Sequence, residues 1–221
     1  MIEHALIFSA GRGERLYPYT KNTPKPLLEV KAQPVLFWHI EKLKALNIKT
    51  ILINHAYLGG LIKEKVRQAF PDVDIQFLPE PPGGLETGGT LAFFKQQLVN
   101  NGSNLLCINA DIFCDYNYDL DTQLQADIMA KLILVPKANH ELMGNFNLDE
   151  AGFILNSSHP EYIFSGIAYY NHLALLQLPI GRYSIRDYLF KWSSEKQITA
   201  EVHQGIWLDI GSPDSLLMLN P

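Results

Sequence analysis

The sequence predicts an α/β fold with a Rossmann-like, mostly parallel sheet flanked by helices. Short apolar runs alternate with amphipathic segments through the first half of the chain, and the connections between them are short. Such alternation is typical of βαβ units, which build parallel sheets. The second half changes to closely spaced strands and indicates a mixed sheet that covers the first. We expect one continuous domain over residues 1–221, with halves of about 1–130 and 131–221.

The first half predicts four strands and three helices. Apolar runs at 5–9, 50–54, 75–78 and 105–109 predict the strands. Apolar residues at helical spacing predict helices over 35–46, 61–70 and 90–98, the last beginning after a break at Gly88-Gly89. Ligands of open α/β sheets bind at the carboxyl ends of the strands. Residues directly after the first, third and fourth strands are therefore the first site candidates.

The second half predicts five strands and one helix. The strands are expected at 132–135, 146–148, 153–155, 163–170 and 198–202, and the helix at 185–192. The stretch Asp149-Glu150-Ala151-Gly152 indicates a hairpin turn between two of the strands.

Composition and charge exclude several classes of protein. The net charge is −5 and no run of Lys or Arg is present, which argues against nucleic acid as a main partner. No apolar run approaches the ~18 residues of a membrane span, and the N-terminus does not resemble a signal peptide. We therefore expect a soluble, cytoplasmic protein without a membrane partner. Cys107 and Cys114 fit neither a zinc nor a CxxC spacing, and are expected to be reduced, packed thiols.

A glycine-rich loop follows the first strand, at residues 9–16. Its glycines let backbone N–H groups approach a phosphate closely. A dinucleotide-binding loop would have a third glycine where Leu16 stands, and a Walker A loop would have Gly-Lys-Ser/Thr. The loop is therefore predicted to bind phosphate, but as neither of these two motifs.

A lysine between two prolines follows this loop. Pro24 and Pro26 restrict the backbone on both sides of Lys25. A lysine held in this way is a preorganised positive charge for a phosphate.

Two aspartates stand at the ends of apolar segments. Asp111 follows the fourth strand, and Asp209 follows the segment 205–208. Mg²⁺ usually takes one or two carboxylates together with phosphate oxygens and water. The pair therefore makes a candidate Mg²⁺ site, although a lone aspartate after a strand more often has a turn or capping role.

These motifs together resemble the sugar-1-phosphate nucleotidylyltransferases. The resemblance rests on Gly11-x-Gly13-x-Arg15-Leu16-x-Pro18-x-Thr20, Pro24-Lys25-Pro26-Leu27, Asn109-x-Asp111 and Trp207-x-Asp209-x-Gly211, and runs from residue 6 to about 214. It implies an Mg²⁺-dependent transfer of a nucleoside monophosphate from an NTP to a sugar 1-phosphate, with release of pyrophosphate. The half 1–130 would then bind the nucleotide and the half 131–221 the sugar.

The resemblance also assigns roles to individual residues. It implies Arg15 and Lys25 as catalytic residues and Asp111 and Asp209 as ligands of Mg²⁺. The implied nucleotide-binding residues are Ala10, Gly11, Arg12, Gly13, Glu80, Thr87 and Gly88. The implied sugar-binding residues are Asn109, Gly144, Asn145, Ser165 and Gly166. Many relatives have Gln where Glu80 stands, and a carboxylate can only accept hydrogen bonds.

The stretches Leu85-Glu86-Thr87-Gly88-Gly89 and Asn54-His55-Ala56-Tyr57-Leu58 resemble bacterial N-acetylmuramate-1-phosphate uridylyltransferases, which act in peptidoglycan recycling. UTP is therefore the favoured nucleotide. Arg182, Arg186 and His140 are candidates to bind a lactyl carboxylate. Alternatives are a mannose-1-phosphate guanylyltransferase, a glucose-1-phosphate thymidylyl- or uridylyltransferase, and a non-catalytic sensor of sugar nucleotides. No hexapeptide repeat follows, so no C-terminal β-helix is expected, and the oligomeric state is left open.

Overall fold

A computed structural model of the chain describes residues 1–98, 102–137 and 145–218. Its strands are β1 (His4–Phe8), β2 (Glu29–Val30), β3 (Gln33–Pro34), β4 (Thr50–His55), β5 (Ile75–Pro79), β6 (Leu105–Asn109), β7 (Ile112–Cys114), β8 (Ala130–Pro136), β9 (Asn147–Leu148), β10 (Ile154–Leu155), β11 (Tyr162–Tyr170), β12 (Ile198–Val202) and β13 (Trp207–Asp209). Its helices are α1 (Val35–Ala45), α2 (Gly59–Ala69), α3 (Glu86–Phe93), α4 (Lys95–Leu98), α5 (His172–Gln177), α6 (Arg186–Ser194) and α7 (Pro213–Met218).

The centre of the fold is a seven-stranded sheet of order β12-β8-β11-β6-β1-β4-β5. The four strands of the first half pair in parallel, as predicted. In the second half, β11 runs antiparallel to both β6 and β8, and β12 runs parallel to β8. The predicted α/β class with a mostly parallel sheet is confirmed. The second half extends the same sheet sideways, where it had been expected to cover the first half.

Both faces of the sheet are covered, because consecutive side chains of each strand point to opposite sides. In β1, Ala5 and Ile7 pack into one apolar cluster with α1 and α2. Leu6, between them, packs into a second cluster with α3, α5 and α6. Fully apolar strands are expected where helices cover both faces of a sheet. This explains why the strand runs of the first half could be predicted from hydrophobicity alone.

Several element boundaries differ from the prediction. The expected helix over 90–98 is two helices, α3 and α4, and Gly88 and Gly89 lie inside α3. A glycine pair predicts a break from backbone entropy, but here tertiary packing against both glycines overrides that preference. The short pair β7–β13 was not predicted, since three residues give little periodicity. The expected hairpin turn lies between the antiparallel strands β9 and β10.

Register brings the carboxyl ends of the central strands together. Phe8, the last residue of β1, is aligned with Asn54 on one side and with Asn109 on the other. The Ser9 N–H donates to the Asn54 side-chain oxygen at 2.7 Å, which ties the start of the glycine-rich loop to β4. The residues predicted from strand ends therefore face one region.

Candidate active site

A large cavity of about 1180 Å³ opens at this edge of the sheet. Its walls are the glycine-rich loop, the turn after β4, the segment after β5 and the ends of β6 and β13. The predicted site residues that line it are Ala10, Gly11, Arg12, Gly13, Arg15, Lys25, Glu80, Thr87, Asn109 and Asp111. The tertiary structure thus brings these predicted residues, which lie up to 101 positions apart in the chain, to one cavity.

The glycine-rich loop passes close to Lys25. Gly13 has a φ of +67°, which favours glycine, and a Cβ there would lie 3.0 Å from the Cβ of Lys25 and 3.0 Å from Cγ2 of Thr20. The Thr20 hydroxyl donates to the Gly13 carbonyl oxygen at 2.9 Å and fixes the loop. Arg12 is exposed and its guanidinium lies 5.6 Å from the centre of the Tyr57 ring. Tyr57 also lines the cavity and was not among the predicted site residues.

Lys25 is buried and forms an ion pair inside the cavity. It begins a short 3-10 helix, Lys25–Leu27, that Pro24 precedes. Its Nζ lies 2.6 Å from Oδ2 of Asp111, whose side chain is 34% exposed. Because the lysine is desolvated and the aspartate borders the cavity, the pair presents fixed charges of both signs to a ligand. The two prolines predicted that the backbone of Lys25 is restrained, whereas only the structure shows that its ion-pair partner, Asp111, lies 86 positions away.

Asp209 comes close to this pair. The backbone N–H of Ile210 donates to the Asp111 carbonyl oxygen at 2.8 Å, so the two aspartates are held on neighbouring segments. Burial raises the pKa of Asp209, and the charge of Asp111 raises it further, while Lys25 and Arg15 oppose the shift. A Cβ on Gly211 would lie 2.6 Å from Oδ2 of Asp209 and 3.3 Å from Nη2 of Arg15. Two mutually repelling carboxylates beside two cations form the charged centre of the site.

The donor set of this centre fits a hard divalent cation. Carboxylate oxygens are what Mg²⁺ prefers, and the bound phosphates would supply the remaining oxygens. The raised pKa of Asp209 means that its negative charge is unfavourable in this environment, and a bound cation would stabilise that charge. The ion pair engages Oδ2 of Asp111, so Oδ1 of the same carboxylate would be the atom available to such a cation.

Glu80 is buried and accepts hydrogen bonds from the protein. One carboxylate oxygen accepts from the Asn54 amide at 2.7 Å and from the Thr90 hydroxyl, and the other accepts from the Leu85 N–H at 2.7 Å. These bonds tie the loop after β5 to β4 and α3. A large part of the acceptor capacity of the carboxylate is therefore used within the protein. Its predicted contact with the nucleobase stays a prediction.

The glycines at the start of α3 contact a distant segment of the chain. A Cβ on Gly88 would lie 2.5 Å from Cε2 of Tyr183, and one on Gly89 would lie 2.3 Å from the carbonyl oxygen of Gly181. These glycines allow the segment 181–185 to approach α3 closely, at a place where we had expected a nucleobase. The Thr87 hydroxyl accepts from the Ile185 N–H at 3.1 Å. The predicted nucleotide contact of Gly88 stays untested.

A smaller cavity of about 250 Å³ adjoins the large one. Phe8, Thr87 and Asn109 line both cavities, so the two meet at the carboxyl ends of β1 and β6. Three of the predicted sugar-binding residues, Asn109, Asn145 and Gly166, line the smaller cavity.

Gly166 lies in a β-bulge of β11 with a φ of +87°. A Cβ there would lie 2.8 Å from Nδ2 of Asn109, so the bulge and the asparagine are packed together. Ser165 is 1% exposed, its hydroxyl oxygen accepts from the Ile167 N–H, and it does not line either cavity. Gly144 and His140 lie outside the described residues.

Sequence reasoning missed most of the apolar wall of the smaller cavity. Phe164, Ile185 and Leu189 line it together with Cys107. The first three lie in the strand predicted at 163–170 and the helix predicted at 185–192, where a cavity wall has the same apolar signal as a core. Arg186 also lines this cavity, and Arg182 lines the large one, 3.8 Å from the Glu86 carboxylate.

Comparison with known proteins assigns the family. A family model described as nucleotidyl transferase matches residues 4–221. The chain belongs to the nucleotidyl transferase family. N-acetylmuramate alpha-1-phosphate uridylyltransferase of Neisseria meningitidis serogroup B is 34% identical over 220 residues, which cover 94% of this chain and 93% of that relative. The predicted resemblance to sugar-1-phosphate nucleotidylyltransferases is confirmed.

One further relative and two solved structures are also similar to the chain. The beta catalytic subunit of mannose-1-phosphate guanylyltransferase from Danio rerio is 25% identical over 96% of this chain, which spans 62% of that relative. Two solved structures share the fold. HddC from Yersinia pseudotuberculosis, complexed with GMP-PN, has a TM-score of 0.79 at 20% identity, covering 99% of this chain and 98% of its own. LicC, the CTP:phosphocholine cytidylyltransferase from Streptococcus pneumoniae, has a TM-score of 0.72 at 22% identity with the same coverage.

No helix within the described ranges, 1–98, 102–137 and 145–218, is long and apolar enough to cross a membrane.

Proposed function

We propose that the chain transfers UMP from UTP to N-acetylmuramate 1-phosphate and releases pyrophosphate, a reaction of peptidoglycan recycling in the cytoplasm. The observation that carries the transferase chemistry is the ion pair between the buried Lys25 and the half-buried Asp111 at the edge of the large cavity, with Arg15 and Asp209 beside it. The similarity to the Neisseria enzyme over almost the full length of both chains supports the choice of substrates.

In the proposed reaction, a phosphate oxygen of the sugar 1-phosphate attacks the α-phosphorus of the nucleotide. The bond from the α-phosphorus to the bridging oxygen breaks, and pyrophosphate leaves with the electron pair. The nucleophile is already an anion, so no general base is required. Catalysis then consists of positioning and of charge stabilisation, as in other phosphoryl transfers.

The residues divide this work by position. The glycine-rich loop 10–13 provides backbone N–H groups for the triphosphate. Lys25 and Arg15 place positive charge where charge develops on the reacting phosphate. Asp111 and Asp209 would hold Mg²⁺, which supplies charge neutralisation at the phosphates when bound. Because Asp111 also holds the Lys25 ammonium, it fixes the position of that charge before the substrates bind.

The smaller cavity is the proposed sugar site. It adjoins the large cavity at Asn109, so a sugar there would bring its phosphate towards the charged centre. Its apolar and aromatic walls with few polar groups are typical of a small-ligand site. Arg186, which lines it, is the proposed partner of the lactyl carboxylate, because a guanidinium binds a carboxylate through two parallel hydrogen bonds.

The nucleotide and sugar are tested by measuring pyrophosphate release. UTP, GTP, dTTP and CTP are each combined with N-acetylmuramate 1-phosphate, mannose 1-phosphate, glucose 1-phosphate and N-acetylglucosamine 1-phosphate, in the presence of Mg²⁺. Release with UTP and the muramate phosphate supports the proposal. Release with GTP and mannose 1-phosphate, the alternative suggested by the similarity to the Danio rerio relative, would replace the proposed substrates. Nucleotide binding without release in every combination would indicate a sensor.

Two variants test the proposed roles. Lys25→Ala is expected to lower kcat by about a hundredfold or more, because a fixed charge at a developing oxyanion contributes several kcal/mol. Lys65→Ala, on the exposed side of α2, is the matched control and should leave kcat unchanged. Arg186→Ala should raise KM for N-acetylmuramate 1-phosphate but not for N-acetylglucosamine 1-phosphate, which lacks the lactyl group. An equal effect on both sugars would remove the role of Arg186 in recognising the carboxylate.

A further inference from the structure

A second cluster of potential metal ligands lies beyond the charged centre, at the far end of the β7–β13 pair. Cys114 ends β7, Asp115 follows it, and His203 directly follows β12. A sulfur, a carboxylate oxygen and a ring nitrogen of these residues lie within 4.8 Å of one another. The His203 Nε2 is 2.7 Å from Oδ1 of Asp115.

The backbone holds these three residues in place. The Asp115 N–H donates to the Ile206 carbonyl oxygen at 3.0 Å, which extends the β7–β13 pairing by one residue on each strand. The His203 N–H donates to the Leu134 carbonyl oxygen at 2.8 Å, which continues the pairing of β12 with β8. A Cβ on Gly205 would lie 2.5 Å from Oδ1 of Asp115 and 2.6 Å from Cε1 of His203. The glycine therefore leaves the space that both side chains need.

The chemistry of the three ligands differs from that of the Asp111–Asp209 centre. A thiolate, an imidazole and a carboxylate suit a borderline-soft cation such as Zn²⁺, whereas Mg²⁺ prefers oxygen ligands. We propose that Cys114, Asp115 and His203 bind a divalent transition-metal ion of the zinc class, with water as the fourth ligand.

The dimensions and the exposure of the cluster fit such an ion. Tetrahedral bonds of roughly 2.0–2.3 Å place ligand atoms roughly 3.3–3.8 Å apart, so small side-chain shifts from the present arrangement suffice. The Asp115 side chain is 50% exposed and that of His203 is 14% exposed, while Cys114 is buried. The site is therefore closed by protein on the thiol side and open to water on the carboxylate side.

The charges of the ligands balance that of the ion in the bound form. The Lys42 ammonium donates to the carbonyl oxygens of Cys114 and Tyr116. Burial raises the pKa of the Cys114 thiol, while the hydrogen bond from the Tyr116 N–H and the charge of Lys42 oppose this rise. A thiolate and a carboxylate together offset the double charge of the ion. Binding would therefore release the thiol proton without leaving an additional net charge at the site.

The site would act as a clamp on the strand pair that carries the charged centre. In the β7–β13 pairing, Cys114 is opposite Trp207 and Ile112 is opposite Asp209. A metal at the Cys114 end would link β7 to the residue that leaves β12, and would stabilise the folded state by mass action. This effect does not depend on which substrates the chain uses.

The experiment is a Co²⁺ titration of the chelator-treated full chain, followed by the thiolate-to-cobalt absorption in the near ultraviolet. We expect this band at one equivalent, and its loss when Zn²⁺ is added. Co²⁺ at Asp111 and Asp209 cannot produce the band, because neither residue offers sulfur. Cys107→Ser, in the other buried cysteine, is the matched control and should keep the band, whereas Cys114→Ser should lose it.

Two milder variants guard against a folding defect in Cys114→Ser. Asp115→Asn and His203→Gln should keep the wild-type circular dichroism and weaken Co²⁺ binding by more than about tenfold, since loss of an outer-shell partner alone costs 10- to 100-fold. The wild-type thermal midpoint should also rise with Zn²⁺, and that of Asp115→Asn should rise less. The absence of a thiolate band in the wild type, or an equal band in Cys114→Ser, would overturn the proposal.

Discussion

His39 gives a pH dependence of stability whose size follows from its surroundings. It lies in α1 and is 2% exposed. Its Nε2 is 2.9 Å from the Ile112 carbonyl oxygen, which only accepts, so Nε2 carries the proton, and Nδ1 accepts from the Tyr118 hydroxyl at 2.9 Å. Burial, and then the charge of Lys42, lowers the pKa of His39 from 6.5 to about 4. The neutral ring is thus part of the folded structure beneath the strand that follows Asp111.

The sign of the effect follows from the direction of that pKa change. Between pH 6.5 and about 4 the unfolded chain binds a proton at His39 that the folded chain does not. Stability is therefore complete above pH 6.5 and is lost as the pH falls through this window. The loss from this residue amounts to about 3 kcal/mol when complete, of which about 2 kcal/mol is lost by about pH 5.

The assay is urea unfolding, followed by tryptophan fluorescence, at about pH 7.5 and about pH 5. In the wild type, the free energy of unfolding should fall between these conditions by about 2 kcal/mol more than in His39→Gln, which cannot titrate. Other acid-sensitive groups contribute equally to both proteins and cancel. The exposed His159→Gln is the control and should follow the wild type. An equal loss in the wild type and in His39→Gln would refute the reasoning.

Three further substitutions are expected to separate stability from activity. Asp209→Asn removes a partly buried charge whose pKa is raised, so it should stabilise the metal-free chain by about 1 kcal/mol in thermal unfolding. The same change should lower pyrophosphate release by about a hundredfold. A lower thermal midpoint would contradict the expected stabilisation. Glu80→Gln replaces one accepting oxygen by a donating amide, so it should lower the free energy of unfolding in urea by about 1–2 kcal/mol. It should also raise KM for the nucleotide. An unchanged KM would show that nucleotide binding does not depend on the Glu80 carboxylate. Gly166→Ala places a Cβ on a residue with a positive φ and against the Asn109 amide, so it should lower the free energy of unfolding by about 1–2 kcal/mol and raise KM for the sugar phosphate. Gly60→Ala is the control and should be neutral or stabilising, because a Cβ there would have no atom within 4 Å.

The sequence alone predicted the parallel half of the sheet. Strands covered by helices on both faces are continuous apolar runs, and this signal depends on neighbouring residues only. The pair β7–β13 was missed because its stability comes from residues 112–114 meeting residues 207–209, not from any local preference. The start of α3 was predicted four residues too late for the same reason, since contacts with the segment 181–185 keep Gly88 and Gly89 inside the helix.

The site followed a similar division. The ordered motif at residues 11–27 and the motif Asn109-x-Asp111 predicted residues that the structure brings to the large cavity, because their order is written in neighbouring positions of the chain. The apolar wall of the smaller cavity was not predicted, since a residue such as Phe164 has the same apolar signal in a cavity as in a core.

What the sequence determined by itself is therefore the fold class, the family resemblance and the identity of the charged residues. Only the tertiary structure decided their partners. Lys25 is paired with Asp111 from 86 positions away, and Glu80 is bound to Asn54 and to Thr90. Cys114 meets His203 across 89 positions, a spacing that no local metal motif contains. A local motif consists of residues that are neighbours in the chain, so the sequence alone shows it. Contacts between distant residues form only when the sheet register aligns the strand ends.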